Sequence, residues 1–445
     1  MTTDHNEVAR PKVGPIRGTR GADDVLRFAG VQYGHAQRFA QPTAISSHSF
    51  TIDAFEPGPI CPQLGSRLEA AMGEQWGEPP QSEDCLYLSI ATPELSGSRP
   101  VMVWLHGGGF LTGAGTLPWH DGGRMAAGGD VVLVSVNYRV GAFGYLVHED
   151  VSEGNLGLQD QMLALEWVRD NIAAFGGDPS NVTLFGQSAG ALSTVALLSV
   201  PGSRALVHRA IIQSCPSLDL FQDRNDALDI GAYFADAVDG DLATASVEAI
   251  LEGQRRTLQW NAAKNPKSTV PPFGLVLDQP LSGNARNSEV FLSEPMPELM
   301  IGYTSDECAA FAIGVQDREI HRALTELSQD LIIAPSQEIA RDYEKAGGTV
   351  YSYEFVWKPQ EGGYGAIHCL ELPFLMGTEE SWKGSPMLGG TPWVEVERNG
   401  KQLRELWTNF ARFGSPVTRG LDWSQSPQPI PLEENQTRLD ESIPG

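Results

Sequence analysis

A serine flanked by glycines lies near the middle of the chain, where Gly186-Gln187-Ser188-Ala189-Gly190 matches the pattern G-x-S-x-G. The match alone is weak, because a chain with 48 Gly produces such patterns by chance. Its flanks strengthen it: residues 182–185 are typical of a strand and residues 189–198 of a helix leaving the turn. A serine there meets backbone amides and a helix dipole that favour the negative charge of attack. We expect Ser188 to be a nucleophile; the alternative is a Gly-rich turn with a helix-capping serine.

A second glycine motif, His106-Gly107-Gly108-Gly109-Phe110, directly follows the apolar run 101–105. Consecutive glycines at a strand end leave backbone N–H groups open to a substrate oxygen, as stabilisation of a tetrahedral intermediate requires. We assign Gly108 and Gly109 as oxyanion donors, together with the amide of Ala189. A phosphate-binding loop is the alternative, but no Lys-Ser/Thr pair follows the glycines. His106 precedes the serine, against the order Ser, acid, His of such hydrolases, and is expected to be structural.

Three histidines follow the serine: His208, His321 and His368. His208 comes before any plausible acid, and His321 lies in a polar helical stretch that is typical of a solvated surface. His368 falls in a Gly-rich loop after the predicted strand 349–355. Its order and placement predict that it is the general base.

The acid is expected after a strand that precedes this histidine. Residues 299–303 form such a strand, and Asp306 and Glu307 follow it. One carboxylate must orient the imidazole and stabilise its cation, while the other is expected to cap the loop. The residues alone do not choose between the two.

The elements that position these groups are short apolar runs with an amphipathic helix between them. Near-continuous apolarity suits strands buried on both faces of a mostly parallel sheet. The predicted strands are 101–105, 131–137, 182–185, 210–213, 299–303 and 349–355. Residues 158–175 carry apolar side chains at helical spacing and are followed by Gly176, which predicts a β-α-β crossover. The fold class is therefore α/β, with a doubly wound sheet whose ligands bind beyond the carboxyl ends of the strands.

Bulk properties narrow the class of function. The 445 residues, 41% of them hydrophobic and 20% charged, are typical of a soluble globular enzyme, and we expect one domain over residues 1–445. A formal charge of −25 disfavours nucleic acid and anionic membrane surfaces as partners. The chain has no apolar run of signal or membrane-spanning length, so a cytoplasmic location is expected. Five cysteines without paired C-x-x-C spacing indicate neither a disulfide scaffold nor a zinc site.

Assembled in order, these residues resemble the type-B carboxylesterase family, which also contains the cholinesterases. The motifs that carry the resemblance are Ser82-Glu83-Asp84-Cys85-Leu86, His106 to Phe110, Asn137-Tyr138-Arg139, residues 154–161, Phe175-Gly176-Gly177-Asp178-Pro179, Gly186 to Gly190, Asp306-Glu307, His368 with Glu371-Leu372-Pro373, and residues 407–410.

The resemblance implies an α/β-hydrolase with helical insertions around an active-site gorge, at about 216–298 and 311–348. It implies that Glu307 is the triad acid and that Arg139, Glu83 and Asp84 are structural. The implied function is a serine carboxylesterase that needs no metal or organic cofactor, acts on a small-molecule ester and is a monomer or small homo-oligomer. A thioesterase or lipase on the same scaffold is the alternative. A non-catalytic binding protein is a remoter one, since such relatives have typically lost the serine or its partners.

Departures from the family pattern bear on the substrate. Members usually carry Glu before the nucleophile, and in cholinesterases that carboxylate helps to hold choline; here the residue is Gln187. Trp76 lies close to where the cholinesterases keep their cation-binding ring. We place Gln187, Trp76 and Phe110 at the substrate pocket and expect small to medium uncharged esters rather than choline esters.

Two cysteines, Cys61 and Cys85, fall where family members commonly form a disulfide; in a reducing cytoplasm we expect them to be thiols. Cys308 follows the expected acid, Cys369 follows the expected base, and Cys215 comes two residues after the predicted strand 210–213. We expect small buried apolar residues there. The alternative hypothesis is that thiol reagents inactivate the enzyme by crowding the triad.

Overall fold

The computed structural model of the protein describes residues 6–74, 79–264, 270–281, 285–286, 296–418, 423 and 425–432. Its strands are β1 Asn6–Ala9, β2 Ile16–Arg20, β3 Leu26–Gln32, β4 Gly34–His35, β5 Thr43–Ala44, β6 Ile52–Asp53, β7 Tyr87–Thr92, β8 Arg99–Leu105, β9 Val132–Val136, β10 Val147–His148, β11 Ser152–Glu153, β12 Gly177–Gln187, β13 Arg209–Gln213, β14 Glu298–Thr304, β15 Val350–Phe355 and β16 Ser426–Leu432. Its α-helices are α1 Glu69–Met72, α2 Gly123–Gly129, α3 Gly141–Tyr145, α4 Leu156–Asn171, α5 Ala189–Ser199, α6 Pro201–Arg204, α7 Arg224–Ala237, α8 Val247–Lys264, α9 Arg318–Ser328, α10 Ala334–Lys345, α11 Leu372–Leu375 and α12 Trp393–Phe413.

One large sheet organises the molecule, in the order β1-β2-β3-β7-β9-β8-β12-β13-β14-β15-β16. From β9 to β16 every neighbouring pair is parallel, whereas β1, β2, β3, β7 and β9 are joined antiparallel. All six predicted strands are present, as β8, β9, β12, β13, β14 and β15. The antiparallel strands at the amino end were not predicted, because segments such as β2, Ile-Arg-Gly-Thr-Arg, have no continuous apolar run.

The parallel strands are buried on both faces. Along β8, Val101, Val103 and Leu105 pack into one hydrophobic cluster, while Met102 and Trp104 pack into the cluster on the other side. This alternation follows from the two-residue period of a strand, and it explains why the sequence of β8 is apolar throughout. Helices cover both faces, so the α/β-hydrolase prediction is confirmed.

The crossover helix is also present as predicted. Helix α4 is followed by a 3₁₀ turn, Ile172–Phe175, and by Gly176 in the left-handed region at φ 78°. Glycine suits this position because a side chain there would be strained. Among the described residues, no helix combines the length and apolarity needed to cross a membrane.

The strand order places a topological switch at β8. From β8 the chain moves to β9 on one side, and the strand after α4, β12, returns to the other side of β8. Crevices at such points, beyond the carboxyl ends of the strands, are the usual ligand sites of open α/β sheets. The loops that leave β8 and β12 carry the two glycine motifs, so the fold brings both motifs to this crevice.

Candidate active site

Ser188 forms the turn between β12 and α5. Its backbone lies at φ 58° and ψ −121°, a strained conformation for a residue with a side chain. The flanking glycines are sterically required: a Cβ on Gly186 would lie 2.4 Å from the carbonyl oxygen of Gly190, and one on Gly190 would lie 2.1 Å from that of Leu105. This strained strand-to-helix turn places the half-buried serine at the wall of a pocket.

The glycine loop after β8 lies against this serine. A Cβ on Gly107 would be 3.2 Å from the Cβ of Ser188, and Gly108 and Gly109 adopt φ values of 115° and 63°. The amides of Gly108, Gly109 and Ala189 donate no hydrogen bond to any described residue. Gly108, Gly109 and Ser188 line the same pocket. Unoccupied amides beside a serine can receive the charge of a tetrahedral intermediate.

His368 and Glu307 form a buried pair. Nδ1 of His368 is hydrogen bonded to Oε2 of Glu307, and the two side chains are 1% and 0% exposed. The backbone reinforces the contact, since the amide of His368 donates to the carbonyl of Glu307 at 3.1 Å. Oε1 of Glu307 accepts from the amide of Thr304 at 2.8 Å. With the carboxylate fixed in this way, Nδ1 carries the proton and Nε2 is left as the acceptor.

The Nε2 atom of His368 lies 3.0 Å from the amide nitrogen Nε2 of Gln187. Because the imidazole nitrogen is the acceptor in this tautomer, the glutamine donates. The hydroxyl of Ser188 makes no hydrogen bond to a described residue. The structure therefore brings the side chains of His368, Glu307 and Gln187 into contact. Ser188 directly follows Gln187 in the sequence, but its hydroxyl makes no hydrogen bond to the imidazole. Catalytic hydrogen bonds are often long or absent before substrate binds.

The neighbouring Asp306 serves the loop. Its Oδ2 accepts from the amide of Ala366 at 2.9 Å, and its own amide donates to the carbonyl of Ala366 at 2.9 Å. These bonds tie the loop before His368 to the end of β14, as expected for the second carboxylate of the pair.

His106 lies beneath the glycine loop. It is fully buried, stacks on Tyr138 at 4.1 Å, and its Nδ1 is 2.8 Å from the carbonyl of Gly107. Burial lowers the pKa of His106 to about 3, so the ring is neutral and supports the loop. Of the other histidines, His208 accepts from the amide of Val182 at 3.1 Å, and His321 is exposed on α9.

The structure does not place Phe110 and Gln187, two of the three residues expected at the substrate pocket, on the wall of the pocket beside Ser188. Phe110 is only 3% exposed, and its ring packs edge-on against Tyr145 at 5.0 Å, so it does not line the pocket. The backbone of Phe110, at φ 61°, places it in the core, and Leu111 and Thr112 form the wall instead. Gln187 is also buried and contacts the imidazole rather than the pocket. Trp76 lies outside the described residues.

The pocket itself has a volume of about 140 Å³. Its walls are residues 64–68, the glycine loop, Ser188, Gln254 and Leu258 of α8, and Phe311. Gln254 and Leu258 come from the first expected insertion, and Phe311 stands at the start of the second. The ring of Phe311 lies 5.6 Å from that of His368. Among the described residues, no group of three His, Cys, Asp or Glu side chains is arranged to hold a metal ion.

Sequence reasoning missed two ionisable groups at the site. Glu371 is 1% exposed; burial and then the nearby Glu307 raise its pKa to about 7. Gln213 donates to its Oε1 at 3.1 Å and accepts from Trp407 at 3.2 Å. Arg67 lines the pocket of Ser188. The Glu371-Leu372-Pro373 motif was a signal for the first residue, whereas nothing local distinguishes Arg67 from a surface arginine.

Comparison with known proteins shows the family to which the chain belongs. Residues 5–323 match the model of the Carboxylesterase family. The chain belongs to this family. A probable N-octanoylanthranilate hydrolase of Rhodococcus erythropolis is 38% identical over 417 residues, which cover 89% of this chain and 90% of that protein. The para-nitrobenzyl esterase of Bacillus subtilis (strain 168) is 31% identical over 460 residues, covering 94% and 92%.

A solved thermophilic PNB esterase has the same fold, with a TM-score of 0.84, 30% identity and 96% coverage of both chains. The protein is thus a carboxylic-ester hydrolase of the type-B group, and its substrate is a small-molecule ester. Arg139 of this carboxylesterase, for which the resemblance implies a structural role, forms a buried ion pair with Asp160 at 2.7 Å.

All five cysteines of the carboxylesterase are buried free thiols. Burial, followed by the charge of Glu307, raises the pKa of Cys308 to about 12, and burial raises the pKa values of Cys215 and Cys369. Buried thiols with raised pKa values are poor nucleophiles. The prediction of small buried residues is confirmed.

Proposed function

We propose that the protein hydrolyses carboxylic esters through an acyl-enzyme on Ser188, with His368 as general base and Glu307 as its orienting acid. His368 takes the hydroxyl proton as the serine oxygen attacks the ester carbonyl. The amides of Gly108, Gly109 and Ala189 hold the oxyanion. His368 then protonates the leaving alcohol, and water activated by the same imidazole releases the acid.

One observation carries the proposal: a buried imidazole held by a carboxylate through Nδ1, with a strained serine and undonated amides in the adjoining pocket. A structural histidine would need no acceptor nitrogen and no free amides nearby. Ser188, Glu307 and His368 also follow one another in the chain order Ser, acid, His, which is the order of α/β-hydrolases.

Gln187 has a specific place in this mechanism. The side-chain amide of Gln187 donates to Nε2 of His368, the atom that must accept the serine proton. This hydrogen bond therefore has to be shared or released when substrate binds. A neutral amide gives no carboxylate to hold a quaternary ammonium group. The proposal is therefore for small to medium esters without a positive charge, in keeping with the small pocket.

A second candidate is hydrolysis of an N-acylated aromatic amine. It is favoured by the 38% identity to the probable N-octanoylanthranilate hydrolase, whose named substrate is an amide. The same serine, histidine and amides would form the same acyl-enzyme from an anilide. Thioester and lipid substrates have no comparable observation in their favour.

The test is Ser188→Ala, assayed on p-nitrophenyl esters of increasing acyl length and on N-octanoylanthranilate. Turnover should fall by a factor on the order of 10³ or more on every substrate, because the triad acts as a unit. Ser199→Ala is the matched control at the other end of α5, where the hydroxyl donates to the carbonyl of Ala196 at 2.6 Å. Undiminished turnover in Ser188→Ala would refute the proposal.

A further inference from the structure

We propose that Arg67 binds a carboxylate group of the substrate, so that the enzyme prefers esters carrying a negative charge. The inference rests on the proposed function, since the pocket has this meaning only if Ser188 is the nucleophile. It replaces the expectation of an uncharged ester with a more specific one and keeps the exclusion of cationic esters.

The guanidinium lies beside the reaction centre. A Cβ on Gly109 would be 3.1 Å from Nη2 of Arg67, so the charged group borders the expected oxyanion donor. Its Cζ lies 5.9 Å from the ring centroid of Phe311, which in turn is 5.6 Å from the ring of His368. A group bound at Arg67 would therefore belong to a molecule whose carbonyl can reach Ser188.

Apart from the cation–π contact with Phe311, Arg67 has no partner for its charge among the described residues. No ion pair or hydrogen bond involves it there, although the chain has 56 Asp and Glu against 31 Lys and Arg. Arg67 is itself exposed, whereas two less exposed arginines are paired: Arg27 lies 2.7 Å from Asp121, and Arg139 lies 2.7 Å from Asp160. Arg67 is therefore a solvent-accessible cation in the cleft, with no carboxylate beside it among the described residues.

The surroundings of Arg67 are apolar or neutral. Of the described residues that line the pocket, Arg67 alone is charged; Leu68, Leu111, Leu258 and Phe311 are among the others. The side chain remains accessible from the cleft. Desolvation by these neighbours lowers the pKa of the guanidinium. A ligand anion bound there would offset this desolvation.

Carboxylate is the anion that fits best. The planar guanidinium presents paired donors that match its two oxygens, and such charge-assisted bonds are stronger than neutral ones. The carboxylate can come from either half of the ester: the alcohol, as in 4-acetoxybenzoate, or the acyl group, as in phenyl hydrogen succinate. Both share the chemistry that Arg67 recognises.

The test compares each anionic ester with a neutral counterpart: 4-acetoxybenzoate with its methyl ester, and phenyl hydrogen succinate with phenyl pentanoate. In Arg67→Met the ratio of kcat/KM values, anionic over neutral, should fall about 10- to 100-fold for at least one pair, the range for a hydrogen-bonded charge. The loss should appear mainly in KM, because the contact exists before and during reaction. Arg67→Lys should keep part of the preference, and Arg10→Met, an exposed arginine after β1, should keep all of it.

A fall for the first pair assigns the carboxylate to the alcohol, and a fall for the second assigns it to the acyl group. Benzoate inhibition of the wild-type enzyme that weakens as salt rises gives support independent of any variant. The inference is overturned if the ratios in folded Arg67→Met and Arg67→Lys equal those of the wild type. Failure of the proposed function is a different result, namely activity that survives Ser188→Ala.

Discussion

Glu371 is a buried carboxyl group close to Glu307 and His368 of the proposed triad, and replacing it with glutamine tests how its burial affects its ionisation and the stability of the fold. Burial, followed by the charge of Glu307, raises its pKa to about 7 from an ordinary 4.5. Its Oε1 accepts from Gln213 at 3.1 Å, while Oε2 has no partner among the described residues. Glu371→Gln keeps the acceptor oxygen and removes only the ionisation.

The sign of the effect follows from proton binding. Between about pH 4.5 and pH 7 the folded protein keeps a proton on Glu371 that the unfolded chain has released, so the free energy of unfolding falls as pH rises. This loss is absent below about pH 4.5 and complete above about pH 7. At about 1.4 kcal/mol per pH unit, it amounts to about 3 kcal/mol.

The assay is urea unfolding of the wild type and Glu371→Gln between pH 5 and pH 8. The contributions of the other titrating groups cancel when the free energies of unfolding of the two proteins are subtracted. As pH rises, the free energy of unfolding of the variant should increase relative to that of the wild type by about 2–3 kcal/mol. Glu149→Gln, at an exposed site, is the control and should show a constant difference. A constant difference for Glu371→Gln as well would refute the reasoning.

Three further predictions concern the site. Glu307→Gln should lower kcat by about 10³- to 10⁴-fold, because the imidazole cation loses its stabilising charge; Asp306→Asn, which loses only a loop contact, should cost less than about tenfold, and equal losses would contradict the assignment. Gly190→Ala places a Cβ 2.1 Å from the carbonyl of Leu105 and should destabilise the protein by at least about 2 kcal/mol in urea unfolding. Gly202→Ala, with nothing within 4 Å, should be nearly neutral, and similar stabilities of the two variants would count against the packing argument. Iodoacetamide should leave the native enzyme active and label all five cysteines only after unfolding; inactivation by modification of one thiol would restore the crowding hypothesis.

Much of the candidate site could be predicted from sequence patterns, because the proposed chemistry imposes local backbone requirements. Ser188 needs a glycine on each side at close contacts, and an oxyanion loop needs open amides after a strand, so both leave short patterns in the sequence. The parallel strands were equally clear, since burial on both faces demands continuous apolar runs.

Other features depend on contacts between distant parts of the chain. Asp306 and Glu307 are adjacent and chemically alike, and only the position of His368 separates them; the family resemblance supplied that choice in advance. Phe110 sits beside two pocket glycines, yet a backbone φ of 61° and its packing against Tyr145 remove it from the pocket.

Arg67 is the strongest example of this limit. Its neighbours Gly109 and Phe311 are remote in sequence, and its significance lies in the absence of a carboxylate beside it within the described part of the fold. No local pattern records such an absence. The contact of Gln187 with His368 is of the same kind, because it joins the end of β12 to the loop that follows β15.

The central claim is that Ser188 is the acylated nucleophile, and a serine-directed fluorophosphonate tests it most directly. Peptide mass spectrometry after complete inactivation should place a single adduct on Ser188, with a stoichiometry of one per chain. Inactivation with the adduct on another residue, or an unlabelled Ser188, would contradict the account.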